Sequence, residues 1–177
     1  MMIKTAKGRP EEKRTYAEET VYDFLDSLEI NYERADHEAA QTMEDCRIIG
    51  EYLGVNICKN LFLCNRQKTR FYLLLMPGNK EFRTKNLSAQ INSSRLSFAD
   101  AAAMLEMIGT QPGSASIMSL IFDKENRVSL LIDKDVLSKE YFGCHPCMNT
   151  TSLKISMRDL EQTIVPALSH EPTIVEL

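Results

Sequence analysis

The chain has 177 residues, 44% of them hydrophobic and 26% charged, and a net charge of −4. That length suits one domain with a core of its own, and the composition is that of an ordinary globular protein. No run of about 18 apolar residues is present to span a membrane, and the acidic balance excludes a protein that coats nucleic acid by basicity alone.

"MMIKTAKGRPEEKR", residues 1–14, is polar and lacks an apolar signal core, so it reads as a flexible tail before a domain over residues 15–177. Thr15-x-x-Glu18 has capping-box spacing, and Val21, Phe24, Leu25 and Leu28 follow at helical intervals, predicting a helix over 16–29. "INYERAD" alternates as a short strand. Thr42-x-x-Asp45 opens a second helix that stops at Gly54. "NLFLCN" and "RFYLLLM", joined by the polar "RQKT", predict a hairpin that ends in a turn at Pro77-Gly78. A short helix is expected near 84–91, and Ser97-x-x-Asp100 is expected to cap another that runs to Gly109. "IMSLIFD" and "RVSLLID" around the polar "KEN" predict a second hairpin. "SLKIS" reads as a strand, Ser156-x-x-Asp159 as the cap of the last helix, and "PTIVEL" as a closing strand. Prominent hairpins without strict strand–helix alternation point to a single mixed α/β (α+β) domain, with a mixed, mostly antiparallel sheet wrapped by helices.

Charge is unevenly distributed. Residues 59–95 hold Lys59, Arg66, Lys68, Arg70, Lys80, Arg83, Lys85 and Arg95 against Glu81 alone, a net +7 that leaves −11 for the rest. A basic face on an acidic body suits a protein that meets a polyanion on one side, although a Lys/Arg-rich solvent face of a hairpin looks the same. The five cysteines have no framework spacing beyond Cys144-x-x-Cys147, and read as reduced thiols of a cytoplasmic protein.

Four places could carry chemistry. "GCHPC", residues 143–147, has the spacing of a thioredoxin-like redox motif, but no helix follows to stabilise a thiolate. A structural zinc would need a fourth ligand beyond Cys144, His145 and Cys147, so no metal is expected. Lys59-Asn60 offers an ammonium and an amide at a strand start, either as snorkelling surface groups or as donors to a phosphate or carbonyl oxygen. Gly113-Ser114-Ala115-Ser116 is a small-residue turn that could bring backbone N–H groups close to a ligand. It is not a P-loop, since no G-K-[ST] follows. His145 with Asn149 and Thr150 could orient a water or accept from a substrate amine.

Those segments, in this order, carry a resemblance. "DHEAAQTMED", "KNLFLCN", "IGTQPGSAS" and "FGCHPCMNTTSLKIS" running into "MRDLEQTI" resemble the YbaK/prolyl-tRNA-synthetase-associated family of aminoacyl-tRNA deacylases, most closely its free-standing Ala-tRNA(Pro) editing members. The resemblance implies the fold of that family and hydrolysis, in trans, of the ester between a wrong amino acid and tRNA, without a cofactor. It implies Lys59 as the catalytic lysine, with Asn60, Thr42, Gly113, Ser114, Ala115, Ser116, His145 and Asn149 binding substrate. The partners implied are the acceptor end of a mischarged tRNA and prolyl-tRNA synthetase, with no membrane. The family's loop usually reads G-x-x-x-P, and Ile117 stands at its fifth position here. Alternatives are another aminoacyl group, such as Cys on tRNA(Pro), or a non-catalytic module that binds tRNA or a partner.

Overall fold

A computed structural model describes residues 1–177. Two helices open where their capping boxes predict. Thr15 caps α1 (Tyr16–Ser27) and Thr42 caps α2 (Met43–Leu53), each side chain accepting from the third residue's N–H while that residue's carboxylate accepts in return. Gly54 ends α2 in the left-handed conformation that glycine adopts without a steric penalty.

The strands divide into two sheets. The first has the order β1 (Ile3–Lys7), β2 (Tyr32–His37), β8 (Thr151–Ser156), β7 (Tyr141–Cys144), all antiparallel. The second has the order β5 (Ser97–Phe98), β3 (Lys59–Cys64), β4 (Phe71–Met76), β6 (Val128–Asp133), β9 (Thr173–Val175). Within it β5, β3 and β4 pair antiparallel, whereas β6 and β9 join parallel. The fold is thus mixed α/β, with its strands in two sheets. A backbone bridge between Ile57 and Gly143 couples them, with Cys58 N–H donating to Gly143 O at 3.0 Å.

The main core lies between the sheets. Tyr32, Phe142, Leu153 and Ile155 from one meet Phe62, Leu73, Leu75, Leu130 and Ile132 from the other, and Val21, Tyr22 and Leu25 of α1 close one side. The outer face of the five-stranded sheet has a second core, where Leu63, Tyr72, Leu74 and Met76 pack on Leu87 of α3 (Thr84–Gln90). Period-two alternation therefore sends successive β3 residues into different cores: Phe62 faces inward, Leu61 and Leu63 outward.

Three local expectations need correction. Residues 1–14 are not a loose tail, because Ile3–Lys7 pairs in register with β2 and Arg9 reaches Glu19, Asp23 and Asp26. Ladder hydrogen bonds and charge hold this strand, whose residues are mostly exposed, so no hydrophobic pattern marks it. "IMSLIFD" is not a strand but a 3-10 helix, Ile117–Phe122, capped by Ser116 and buried along most of its length. A continuous apolar run has no periodicity to separate the two states, and β6 pairs with β4 instead. Lastly, Asp100 rather than Ser97 caps α4 (Ala101–Ile108), accepting from Ala103 N–H at 2.9 Å.

The +7 segment is not one face. Arg66, Lys68 and Arg70 lie around the β3–β4 turn, and six strand residues put Lys59 about 17–20 Å away at the other end of β3. Lys68 is neutralised by Asp100, Lys80 by Asp133 and Asp135, and Arg83 by Glu81.

Candidate active site

Most of the residues expected at the site lie on a ring of contacts at the seam between the sheets. Lys59, the first residue of β3, donates from Nζ to Lys80 O at 2.7 Å. Lys80 is itself pinned by its side chain to Asp133 and Asp135, both at 2.8 Å, so the carbonyl that receives Lys59 is held in place. The same turn carries Gly78, where a Cβ would stand 2.7 Å from Ile57 O and 3.0 Å from Met43 Cε at the start of α2. Thr42 is the α2 cap, its hydroxyl occupied by Asp45. Two residues earlier, Ala40 exchanges backbone and side-chain hydrogen bonds with Asn149, whose Nδ2 donates to Ala40 O at 3.1 Å. Asn149 in turn flanks Gly113, where an added Cβ would sit 3.8 Å from that Nδ2. Ser116 lies beside the Cys144 thiol, and Gly143 returns the ring to Cys58 and Lys59.

Around this ring several polar groups have no protein partner. Ser114 N–H donates to Gln111 O and Ser116 N–H to Ser119 Oγ, so those two expected donors are spent on shaping the loop. Gly113 and Ala115 N–H donate to no protein acceptor. Asn60 Nδ2 donates to Cys58 O at 3.1 Å, leaving its buried Oδ1 without a donor. The Lys59 ammonium has one carbonyl partner and no carboxylate, which leaves two N–H donors and an uncompensated charge. Gly113 has φ +87°, a conformation that favours glycine.

His145 is buried with its tautomer fixed. Nδ1 lies 2.9 Å from Thr151 O, and a carbonyl can only accept, so Nδ1 carries the proton and Nε2 keeps its lone pair. Burial lowers its pKa to about 4, with the Thr151 carbonyl opposing this and His37 adding to it, so the ring is neutral at pH 7. His37, which was not singled out in the sequence, supports it: Nδ1 donates to Glu38 O at 2.8 Å and Nε2 accepts from Ser152 Oγ at 2.9 Å. Ser152 Oγ also lies 3.2 Å from His145 Nδ1. The signal for His37 was its place in "DHEAAQTMED", but its link to Ser152 spans 115 residues and no local pattern shows it.

One expectation changes. Lys59 and Asn60 do not point the same way, because neighbouring strand residues face opposite sides of the sheet. Lys59 leaves on the side of Leu61 and Leu63, while Asn60 turns to the inner side with Phe62. Lys59 makes no hydrogen bond to His145. The C-x-x-C thiols are not poised for redox chemistry: burial raises the pKa of Cys144 and pushes Cys147 up to about 12. Both are protonated, and Cys147 Sγ lies 3.4 Å from Ser119 Oγ. Two cavities, of about 490 and 400 Å³, lie away from the ring, the first lined by Leu160, Val165 and His170 and the second by Arg70 and Arg127.

The seam is tight at Gly143. A Cβ there would stand 2.9 Å from Asn56 O and 3.1 Å from Ile57 Cα, backbone atoms that cannot swing aside. We expect Gly143→Ala to destabilise the fold by about 1–3 kcal/mol, read as a melting temperature lowered by about 2–4 °C per kcal/mol. An unchanged melting curve would show that the sheets part freely.

The aminoacyl-tRNA editing domain profile matches residues 37–163, which include every member of the ring. The chain belongs to that family. It is an aminoacyl-tRNA deacylase, an ester hydrolase. Among its relatives, the prolyl-tRNA editing protein ProX of Acetoanaerobium sticklandii is 29% identical over 161 residues, covering 91% of this chain and 98% of that protein. Prolyl-tRNA synthetase associated domain-containing protein 1 of Mus musculus is 30% identical over 157 residues, covering 85% and 90%. The fold also matches a crystal structure of a candidate trans-editing enzyme for prolyl tRNA synthetase, with TM-score 0.70 at 12% identity over 93% of this chain and 99% of that one. No helix is long and apolar enough to cross a membrane. Ile117, in place of the family's usual proline, is the first residue of the 3-10 helix, where a missing N–H costs nothing and proline fits.

Proposed function

We propose that the substrate is Ala-tRNA(Pro), deacylated in trans by attack of water on the ester at the acceptor end, and that prolyl-tRNA synthetase is the enzyme whose errors it corrects. A pocket built for proline excludes the smaller alanine poorly, since absent methylenes are worth only about 1–3 kcal/mol. A second pocket that admits alanine and rejects proline by size removes the error. The observation that carries this reading is the hydrogen-bonding capacity left unfilled around one ring: two backbone N–H donors, a buried amide oxygen, the Nε2 of a neutral imidazole and an ammonium with a carbonyl partner but no carboxylate.

Each group has a role in ester hydrolysis. Gly113 and Ala115 N–H donate to the carbonyl oxygen as it gains charge, a contribution worth more in a water-poor site than in solvent. Asn60 Oδ1 and His145 Nε2 accept from the amino acid's ammonium or from the attacking water. Lys59 holds an oxygen of the acylated end, and Thr42, Ser114, Ser116 and Asn149 hold the walls in place. The ribose hydroxyl departs with a proton. An ester with this support needs no Ser or Cys nucleophile.

A panel of tRNA(Pro) carrying Ala, Cys or Pro tests the proposal by following ester loss. Alanine should be released fastest and proline spared. Faster loss of cysteine would replace the substrate, and tight tRNA binding without turnover would favour the binding module over the enzyme.

A further inference from the structure

On the outer face of the five-stranded sheet, an aromatic side chain stands open to solvent beside the lysine of the site. Phe98 in β5 is 64% exposed, although it pairs directly with fully buried Leu63 of β3. Directly paired residues share a face, and alternation puts Lys59, Leu61 and Leu63 on that same face. Phe98 does not stand alone. Its ring meets Phe82 at a centroid distance of 6.2 Å and an angle of 68°, edge to face. Phe82 packs on the outer core and follows by two residues the Lys80 carbonyl that holds Lys59. Four strand residues separate Lys59 from Leu63, so the two ends of this surface are about 13 Å apart, a span that a few nucleotides of single strand can cover. β5 is an edge strand, so the side beyond Phe98 is open.

The charges around this surface favour an anion. The carboxylates near this surface are engaged, Glu81 with Arg83 at 2.9 Å, Asp100 with Lys68 at 3.1 Å, and Asp133 and Asp135 with Lys80 at 2.8 Å. Lys59 has no carboxylate partner, and neither has Lys85, at the start of α3, nor Arg95, just before β5. An exposed ring backed by a second ring, with a cation that has no carboxylate partner on the same face of the sheet, is how proteins receive unpaired bases: the face stacks and the cation meets the backbone.

We propose that Phe98, braced by Phe82, is a stacking platform for an unpaired base of the tRNA acceptor end, whose terminal nucleotide lies at Lys59. The proposal rests on the deacylase reading above, and makes Phe98 a positioning residue rather than a catalytic one. It holds the strand so that the ester reaches the ring.

The chain contains no tryptophan, so Phe98→Trp introduces a single fluorophore at an exposed site. Uncharged tRNA(Pro) should quench it, and the same tRNA with its 3′ single-stranded nucleotides removed should not. Equal quenching by both, or none by either, overturns the platform. No ester is cleaved in this measurement, so its outcome is separate from that of the substrate panel: quenching without deacylation would refute the function and leave the platform standing. In deacylation kinetics, Phe98→Leu, which keeps apolar bulk but loses the π face, should raise KM by about tenfold with kcat little changed, and Phe98→Tyr should restore it. A Leu variant with the parent KM overturns the proposal as well.

Discussion

Replacing Lys59 with alanine is expected to lower kcat/KM for Ala-tRNA(Pro) by about 10²–10³-fold, the usual cost of removing one preorganised donor from a developing charge. The ammonium is held by a single carbonyl, so its removal leaves one exposed-edge acceptor that water can satisfy, and the fold should survive. Lys59→Arg should not rescue the rate. A planar fork cannot take the place of a compact ammonium that donates to one oxygen in front of Lys80 and to substrate on its other side. Where the loss falls is informative. If Lys59 acts on the transition state, kcat falls. If it only grips the tRNA, KM rises alone. We expect kcat to fall, measured in single-turnover deacylation with melting curves run alongside. Equal rates for parent and variant would remove Lys59 from the mechanism.

Acid should loosen this protein well before its carboxylates are protonated. His145 has a folded pKa of about 4 against an ordinary 6.5, and burial lowers that of His37 as well. Between those values the unfolded chain binds a proton that the folded chain refuses, so stability is complete above about pH 6.5 and is lost as the pH falls towards 4. For His145 alone, the full difference is about 3 kcal/mol at 1.36 kcal/mol per pH unit. Urea unfolding from pH 7.5 to 4 should show this slope, and His145→Gln, which cannot titrate, should flatten it. An equally steep slope in the variant would place the acid sensitivity elsewhere.

Sequence alone revealed those parts of the fold whose signals are local. The two capping boxes at Thr15 and Thr42 need only residues three positions apart, and both helices begin there. The β3–β4 hairpin was legible because polar residues separate two apolar runs. β1 was not, since its support is a partner strand and three acidic residues far along the chain. The buried 3-10 helix was misread because a run apolar on every side carries no period. At the site, the residue types and their order were legible, largely through family resemblance. Their directions were not: that Asn60 turns inward while Lys59 turns outward depends on which core each face of β3 meets, and that Ser114 and Ser116 spend their N–H groups on Gln111 O and Ser119 Oγ depends on a loop and 3-10 turn that an apolar run does not announce.

The backbone bridge from Ile57 to Gly143 has a consequence for how this enzyme can vary. Because the groups proposed for the site come from two plates joined along a shared edge, their spacing depends on the attitude of one plate to the other. Bulk added or removed anywhere in the layer between them, even far from the substrate, can tilt that attitude. Selectivity for one amino acid over another can therefore drift through substitutions that never touch the ligand.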